Sequence, residues 1–127
     1  MSALLFLVED DVLVAMTVQT ALEDAGYQVL VAAEGDEALA LLETRAEELG
    51  ALITDVNLPR QTGWEIARRA RELRPTLPVI YVTGDSAHEW ASHGVPKSVL
   101  VEKPFAPVQI VTAGSTRLNV TDTSQLS

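Results

Sequence analysis

A doubly wound α/β fold, a parallel sheet covered by helices on both faces, is what this chain predicts, and three observations carry the prediction. Five short apolar runs recur along 127 residues. Each is followed, after brief punctuation, by a segment with apolar residues at helical spacing. Strands joined through helices in this way pair in parallel, and right-handed crossovers place the helices on both faces. A hydrophobic share of 47% and a charged share of 21% are those of a globular protein. The length suits one core, and no apolar run approaches a membrane span.

Leu4 to Val8 is wholly apolar and runs into Glu9-Asp10-Asp11, a buried first strand. The start lacks the basic segment of a signal peptide. Val12 to Ala25 follows as a helix with Val14, Val18, Ala21, Leu22 and Ala25 inward, and Gly26 stands where a C′ glycine would end it. Tyr27 to Ala33 alternates around Val29 and Val31 as a second strand. After Glu34-Gly35-Asp36, residues Ala38, Leu39, Leu41 and Leu42 give a second helix, expected to fade near Gly50. The third strand lies between Gly50 and Pro59 and carries Ala51-Leu52-Ile53-Thr54-Asp55. Thr62 is the N-cap of a third helix, Gly63 to Leu73, with Ile66, Ala67, Ala70 and Leu73 inward. Pro75 and Pro78 bracket the turn into a fourth strand, Val79 to Thr83. A weaker helix, Ser86 to His93, precedes Gly94-Val95-Pro96, and a fifth strand, Ser98 to Glu102, runs into Lys103-Pro104-Phe105. Pro107 to Arg117 makes a last helix, poor because of Gly114 and its β-branched residues. The expected domain is therefore 1–117, with a polar, frayed tail from 118 to 127.

A net charge of −9 argues against nucleic acid or an anionic membrane as partner and favours cations and basic protein surfaces. The absence of cysteine excludes a disulfide framework and a thiolate metal site, and fits a reducing cytoplasm. Arg68, Arg69, Arg71 and Arg74 read as the charged outer face of the third helix, not as a nucleic-acid patch. His88 and His93 lack a third ligand and read as surface residues, Trp64 and Trp90 as packing anchors. Asn119-Val120-Thr121 matches a glycosylation acceptor, but without a secretion signal the match is empty.

In a parallel sheet the polar residues at the strand ends gather on one edge, where such folds bind ligands. Here they are Glu9 and Asp10, Asp55, Thr83 and Lys103. A lone aspartate after a strand ordinarily just opens a turn, but this company changes its meaning. Three acids at one rim repel unless a cation neutralises them, and an all-oxygen donor set suits Mg²⁺. An aspartate beside Mg²⁺, an ammonium and a hydroxyl can attack phosphorus, since each of the three can hold one phosphoryl oxygen. Asp55, central and followed by a loop, is the expected nucleophile.

Four spaced motifs, Val8-Glu9-Asp10, Thr54-Asp55 with Leu58-Pro59 and Gly63, Val82-Thr83-Gly84, and Glu102-Lys103-Pro104-Phe105, make the chain resemble the receiver domains of two-component response regulators from Leu4 to about Arg117. The resemblance implies a flavodoxin-like sheet with strand order 2-1-3-4-5. It implies that Asp55 accepts phosphate from the phosphohistidine of a histidine kinase or phosphotransfer protein. By the same carry-over Asp10 ligates Mg²⁺ directly, Glu9 helps through water, and Asn57 offers its backbone carbonyl. Thr83 and Lys103 would hold the phosphoryl oxygens. Asn57 and Asp85 would flank the site and favour brisk loss of phosphate. A kinase or phosphotransfer partner would dock on the first helix. A downstream target, or a second copy in a homodimer, would meet the face of helix four, strand five and helix five, with Leu100, Val108 and Val111 as its apolar residues. No effector domain is expected after the receiver.

One position departs from the family's pattern. Leu100 stands three residues before Lys103, where the family usually carries the Tyr or Phe of a rotamer switch. Either that switch is absent, or the signal travels through the loop and helix between Thr83 and Lys103, and two rival readings of the whole chain stand beside the receiver. A receiver-like module could work by binding alone, without phosphorylation. A phosphatase resembling the haloacid dehalogenases would also use an aspartate nucleophile with Mg²⁺, but it needs a second aspartate two residues on, where Asn57 stands.

Overall fold

A computed structural model describes residues 3–103 and Val111. Its elements are β1 (Leu4–Val8), α1 (Val12–Asp24), β2 (Gln28–Ala32), α2 (Gly35–Arg45), β3 (Leu49–Asp55), α3 (Gly63–Leu73), β4 (Val79–Thr83), α4 (Trp90–His93) and β5 (Val99–Glu102). Short 3₁₀ turns occupy Ala46–Glu48 and Ala87–Glu89. All strand pairs are parallel, in the order β2-β1-β3-β4-β5, as the resemblance implied. The last expected helix, apart from Val111, and the tail from 118 to 127 lie outside the described residues, as do Phe105 and Val108.

Because strand side chains alternate, the central strands feed two cores at once. Phe6 and Val8, Leu52, and Val79 and Tyr81 face Ala38 and Leu42 of α2 and Trp64, Ile66, Ala67 and Ala70 of α3. Leu5 and Leu7, Ala51 and Ile53, and Ile80 and Val82 face Ala15, Val18 and Leu22 of α1. Val111 packs, half-buried, against the α1-side core, and Leu100 against the other. Two of the three apolar residues expected on the output face, Leu100 and Val111, are thus partly spent on the domain's own packing.

The glycine signal at the end of α1 holds. Asp11 caps its first turn, and Gly26, at φ 99°, ends it. Gly26 N–H donates to the Glu23 carbonyl and Tyr27 N–H to that of Leu22, so the chain leaves in a Schellman turn that only glycine adopts without strain. Ala25, expected to face inward, is the exposed C-cap instead.

Three other expectations are corrected. Gly50 does not bound β3 but lies inside it. Leu4 pairs with Leu49 and Leu5 with Ala51, so Gly50 is the extra residue of a bulge, and α2 ends earlier, at Arg45. The helix expected over Ser86 to His93 is reduced to a 3₁₀ turn and the four residues of α4, neither of which buries a residue. Without an apolar face to pack, so short a segment has nothing to offset the cost of nucleating a longer helix. Trp90 is accordingly 37% exposed and is no core anchor, whereas Trp64 is buried. The arginines of α3 are also divided. Arg69 pairs with Glu43 and Glu72 on the outside. Arg71 turns back to the carbonyls of Leu77 and Pro96, and Arg74 to those of Ala46 and Leu49.

Candidate functional site

The strand ends converge as the topology requires, at the carboxyl edge of β1, β3, β4 and β5. Glu9 extends β1 by one more sheet bond, its N–H donating to the Ala32 carbonyl at 3.0 Å, and its side chain is only 4% exposed. Asp10 follows on the surface. Asp55 ends β3, 6% exposed, opposite Val82 of β4, and Val56 N–H continues the pairing to the Val82 carbonyl at 3.0 Å. Asn57 N–H donates to Asp55 Oδ1 at 3.1 Å. Gly63 opens α3 directly against this strand end. Its N–H donates to the Val56 carbonyl at 2.8 Å, and a Cβ there would collide with the Asp55 carbonyl oxygen. The glycine is therefore demanded by close approach of two backbones.

Lys103 reaches across from the end of β5. Its ammonium lies 3.2 Å from Asp55 Oδ2 and 3.3 Å from Glu9 Oε1. Burial works against that charge, but the Asp55 and Glu9 carboxylates outweigh it and hold Lys103 above the ordinary lysine range. Glu9 is pushed up to about 7, first by burial and then by the charge of Asp55, against the opposing pull of the Asp11 N–H and Lys103. One carboxylate oxygen from each of Glu9, Asp10 and Asp55 falls within 4.8 Å of the others. One ammonium does not balance three acids, and the strained ionisation of Glu9 is what a cation at this point would relieve. The donor set, all oxygen and strongly anionic, fits a hard divalent ion such as Mg²⁺.

Thr83 is buried at the end of β4, and its Oγ1 accepts the N–H groups of Asp85 at 3.3 Å and Ser86 at 2.9 Å. Asn57 Nδ2 donates to Asp85 Oδ1 at 2.6 Å, which bridges the loops after β3 and β4. Ser86 Oγ stands 3.1 Å from Asp85 Oδ1 and 3.4 Å from Asn57 Oδ1. Glu9, Asp10, Asp55 and Lys103 thus come together as the sequence predicted, with Asn57 and Thr83 at the margins of the cluster. Sequence reasoning placed Asp85 beside the site but missed Ser86 and the bridge. Two polar residues after the strand-ending Thr83 were the signal available for it.

Fold and edge together define an open, doubly wound α/β domain with its polar site at the carboxyl edge, where the strand order reverses between β1 and β3. The chain belongs to the response regulator receiver domain family, whose family model matches residues 5–114. Among solved structures it is similar to a response regulator receiver protein from Sinorhizobium medicae, with a TM-score of 0.88 and 36% identity over 93% of this chain and 95% of that one. The receiver domain of the hybrid histidine kinase CckA is also similar, with a TM-score of 0.78 and 27% identity over 91% and 99% of the two chains. Among curated relatives, the sensor kinase CckA of Brucella abortus is 34% identical over 87% of this chain and 12% of its own length. The response regulator SaeR of Staphylococcus epidermidis is 28% identical over 84% of this chain. The chain spans less than half the length of either relative, 12% and 46%. Receiver domains act in two-component signalling between histidine kinases and downstream effectors, accept a phosphoryl group, and generally bind Mg²⁺ at an acidic pocket. No helix among the described residues is long and apolar enough to cross a membrane.

Proposed function

We propose that Asp55 accepts a phosphoryl group from a phosphohistidine and that the phosphorylated domain switches a protein contact or passes the group on in a phosphorelay. The observation that carries this reading is the seat of Asp55: a buried carboxylate with one oxygen turned to Lys103 and an acid cluster beside it. In the reaction a carboxylate oxygen forms the new bond to phosphorus, the phosphorus–nitrogen bond breaks, and the electron pair stays with the departing imidazole. Lys103 stands where it can neutralise phosphoryl charge, and Thr83 offers a hydroxyl from the neighbouring strand. Glu9, Asp10, Asp55 and the Asn57 carbonyl would hold Mg²⁺, which when bound supplies charge neutralisation for the incoming phosphoryl group. Asn57 in place of the second aspartate of a haloacid-dehalogenase-like phosphatase weighs against that alternative, and its amide is already given to Asp85.

Val12, Leu13 and Met16, exposed by 67%, 76% and 58%, stand on the first turns of α1 directly after the acids. A phosphohistidine must be brought to Asp55, and this apolar patch is where the protein bearing it docks. Leu13→Glu should therefore slow transfer from a kinase or phosphotransfer protein while leaving labelling by acetyl phosphate unchanged. Equal slowing of both would remove the docking role. The face of α4, β5 and the segment after it is left for a target or a second copy, and the reaction belongs to the cytoplasm.

The direct test is intact mass after incubation with acetyl phosphate and Mg²⁺, on wild type and Asp55→Asn, quenched at several times. A single phosphoryl adduct that requires Mg²⁺ and vanishes in the variant is expected. No adduct at any time would favour the binding module that works without phosphate, which Leu100 at the usual aromatic position already makes the leading alternative.

A further inference from the structure

Between Asp55 and α3 the chain makes one closed loop, residues 56–62, with Asn57 near its start. Backbone bonds fasten its base. Gly63 N–H donates to the Val56 carbonyl at 2.8 Å, and Asn57 and Thr62 form an isolated antiparallel bridge. Towards the tip, Gln61 N–H donates to the Pro59 carbonyl at 2.8 Å, and Arg60 between them stands at φ 70°, in the left-handed region. A residue with a Cβ enters that region against steric resistance, so contacts outside the residue must hold it there.

Those contacts come from the first turn of α2. Gln61 Nε2 donates to Asp36 Oδ1 at 3.0 Å, and the Arg60 guanidinium lies 3.5 Å from Asp36 Oδ2. One carboxylate thus grips two neighbouring residues at the tip, one with each oxygen. The Arg60 pair is exposed and contributes little alone, so the amide bond is the stronger tie. Gln61 also lies close against Gly35, where a Cβ would come within 2.9 Å of Gln61 Oε1 and 3.0 Å of Gln61 Cβ. That oxygen is buried without a hydrogen-bond partner among the described residues. Reversing the amide would set the oxygen against the Asp36 carboxylate, so Asp36 decides which way Gln61 faces.

We propose that Asp36, which has no part in the acid cluster, is a positioning residue for the Asp55 site. By holding Arg60 left-handed it keeps the loop in the shape that aims the Asn57 N–H at Asp55 Oδ1, 3.1 Å away, and leaves Oδ2 to Lys103. The path from tip to site is short. Gln61 is followed by Thr62, and Thr62 is bridged to Asn57. Without Asp36, Arg60 relaxes to negative φ, Thr62 turns with it, and Asn57 loses its aim. The consequence for Mg²⁺ rests on the function proposed above, but the hold on the loop does not.

The experiment is residue-resolved amide hydrogen exchange on the full chain without metal or phosphate. It compares wild type with Asp36→Ala, Gln61→Met, Arg60→Gly and the double variant Asp36→Ala/Arg60→Gly. Met keeps the length of Gln61 beside Gly35 and removes only its amide. Asp36→Ala and Gln61→Met should each speed exchange at Asn57 by about fivefold or more. Glycine adopts φ 70° without strain, so Arg60→Gly in the Asp36→Ala background should bring Asn57 back to within about twofold of wild type. Asp36 also places a favourable charge in the first turn of α2, and losing that charge lowers stability in a way that no change at Arg60 repairs. Unchanged exchange at Asn57 in Asp36→Ala, or a double variant that exchanges as fast as Asp36→Ala, would overturn the hold on the loop. The second stage is a Mg²⁺ titration of the same proteins. Asp36→Ala should weaken binding by about tenfold and the double variant should recover it. Mg²⁺ affinity that stays at the wild-type value while Asn57 loosens would overturn the positioning role. A wild type that binds no Mg²⁺ removes the metal site itself, while the hold on the loop is decided by the first stage.

Discussion

The two halves of the site's rim are built on opposite principles. On the β1–β3 half, backbone pairs with backbone on both sides of Asp55, cores press on both sheet faces, and Gly63 brings α3 into contact with the Asp55 carbonyl. On the β4–β5 half, the connection after Thr83 is held chiefly by side-chain hydroxyls and an amide, and carries helical turns that bury nothing. The difference teaches where each task of the proposed switch would sit. Transfer of a phosphoryl group needs a carboxylate fixed to within a fraction of an ångström. A response needs a segment whose bonds can be exchanged at little cost.

The sharpest way to break that contrast is to disturb the fixed half. Gly63→Ala forces a methyl group against the Asp55 carbonyl, and neither backbone can yield without moving the central strand or α3. The expected loss is roughly 3 kcal/mol of unfolding free energy, the upper end of overpacking costs, read from the urea midpoint. Gly94→Ala, which strikes only the Trp90 side of the exposed α4, should cost clearly less. Equal losses would mean that the two halves are equally rigid.

A somewhat smaller effect follows from the charge stored in the fixed half. Glu9 ionises near pH 7 in the folded chain and near its ordinary 4.5 when unfolded. Between those values the folded state binds the extra proton, so this group's contribution is greatest below pH 4.5 and declines as pH rises through 7. Between pH 5 and pH 8 the loss is on the order of 2–3 kcal/mol, given about 1.4 kcal/mol for each unit of displacement. Urea unfolding at pH 5 and pH 8 should show wild type losing more stability over that interval than Glu9→Gln, and Mg²⁺ should restore part of it at pH 8. Parallel pH profiles for the two proteins would show that Glu9 is not strained.

How much of this was legible in the sequence follows the same division. The strands, α1, α3 and the converging Glu9, Asp10, Asp55 and Lys103 could be read because burial on both sheet faces imposes long apolar runs, and parallel topology forces the strand ends together. Strand order could not come from periodicity and entered only through the resemblance to receiver domains. Gly50 was misread because a glycine before an apolar run looks the same whether it ends a turn or forms a bulge. Ser86 to His93 was read as a helix because polar, helix-compatible residues say nothing about whether a face finds a core. The ties from Asn57 to Asp85 and from Val95 to Tyr81 join residues 28 and 14 positions apart. Nothing local in the chain announces them. Arg71 and Arg74 fold back to carbonyls for reasons equally invisible in a run of arginines.

The smallest predicted effect tests whether the fixed half can itself be divided. Asp10 and Asp11 are adjacent, both acidic and both exposed, yet the chain gives them unrelated work. Asp10 contributes an oxygen to the acid cluster. Asp11 is extended at φ −82° and ψ 113°, and its Oδ1 accepts the N–H groups of Leu13 at 3.0 Å and Val14 at 3.2 Å, the office of an N-cap. Asp11→Ala should therefore cost about 1 kcal/mol in urea unfolding and leave Mg²⁺ affinity nearly unchanged. Asp10→Ala should strongly weaken Mg²⁺ binding, measured by titration at pH 8, with no loss of stability, since it removes one of three mutually repelling carboxylates. The complication is that Asp11 N–H also donates to Glu9 Oε2 at 3.2 Å, so the cap and the cluster share a bond. That donor is a backbone group and survives in alanine, provided the first turn of α1 keeps its place. If Asp11→Ala weakens Mg²⁺ binding as much as Asp10→Ala does, the first turn of α1 belongs to the metal site, and the rigidity of that half is maintained by the helix and not by the strands alone.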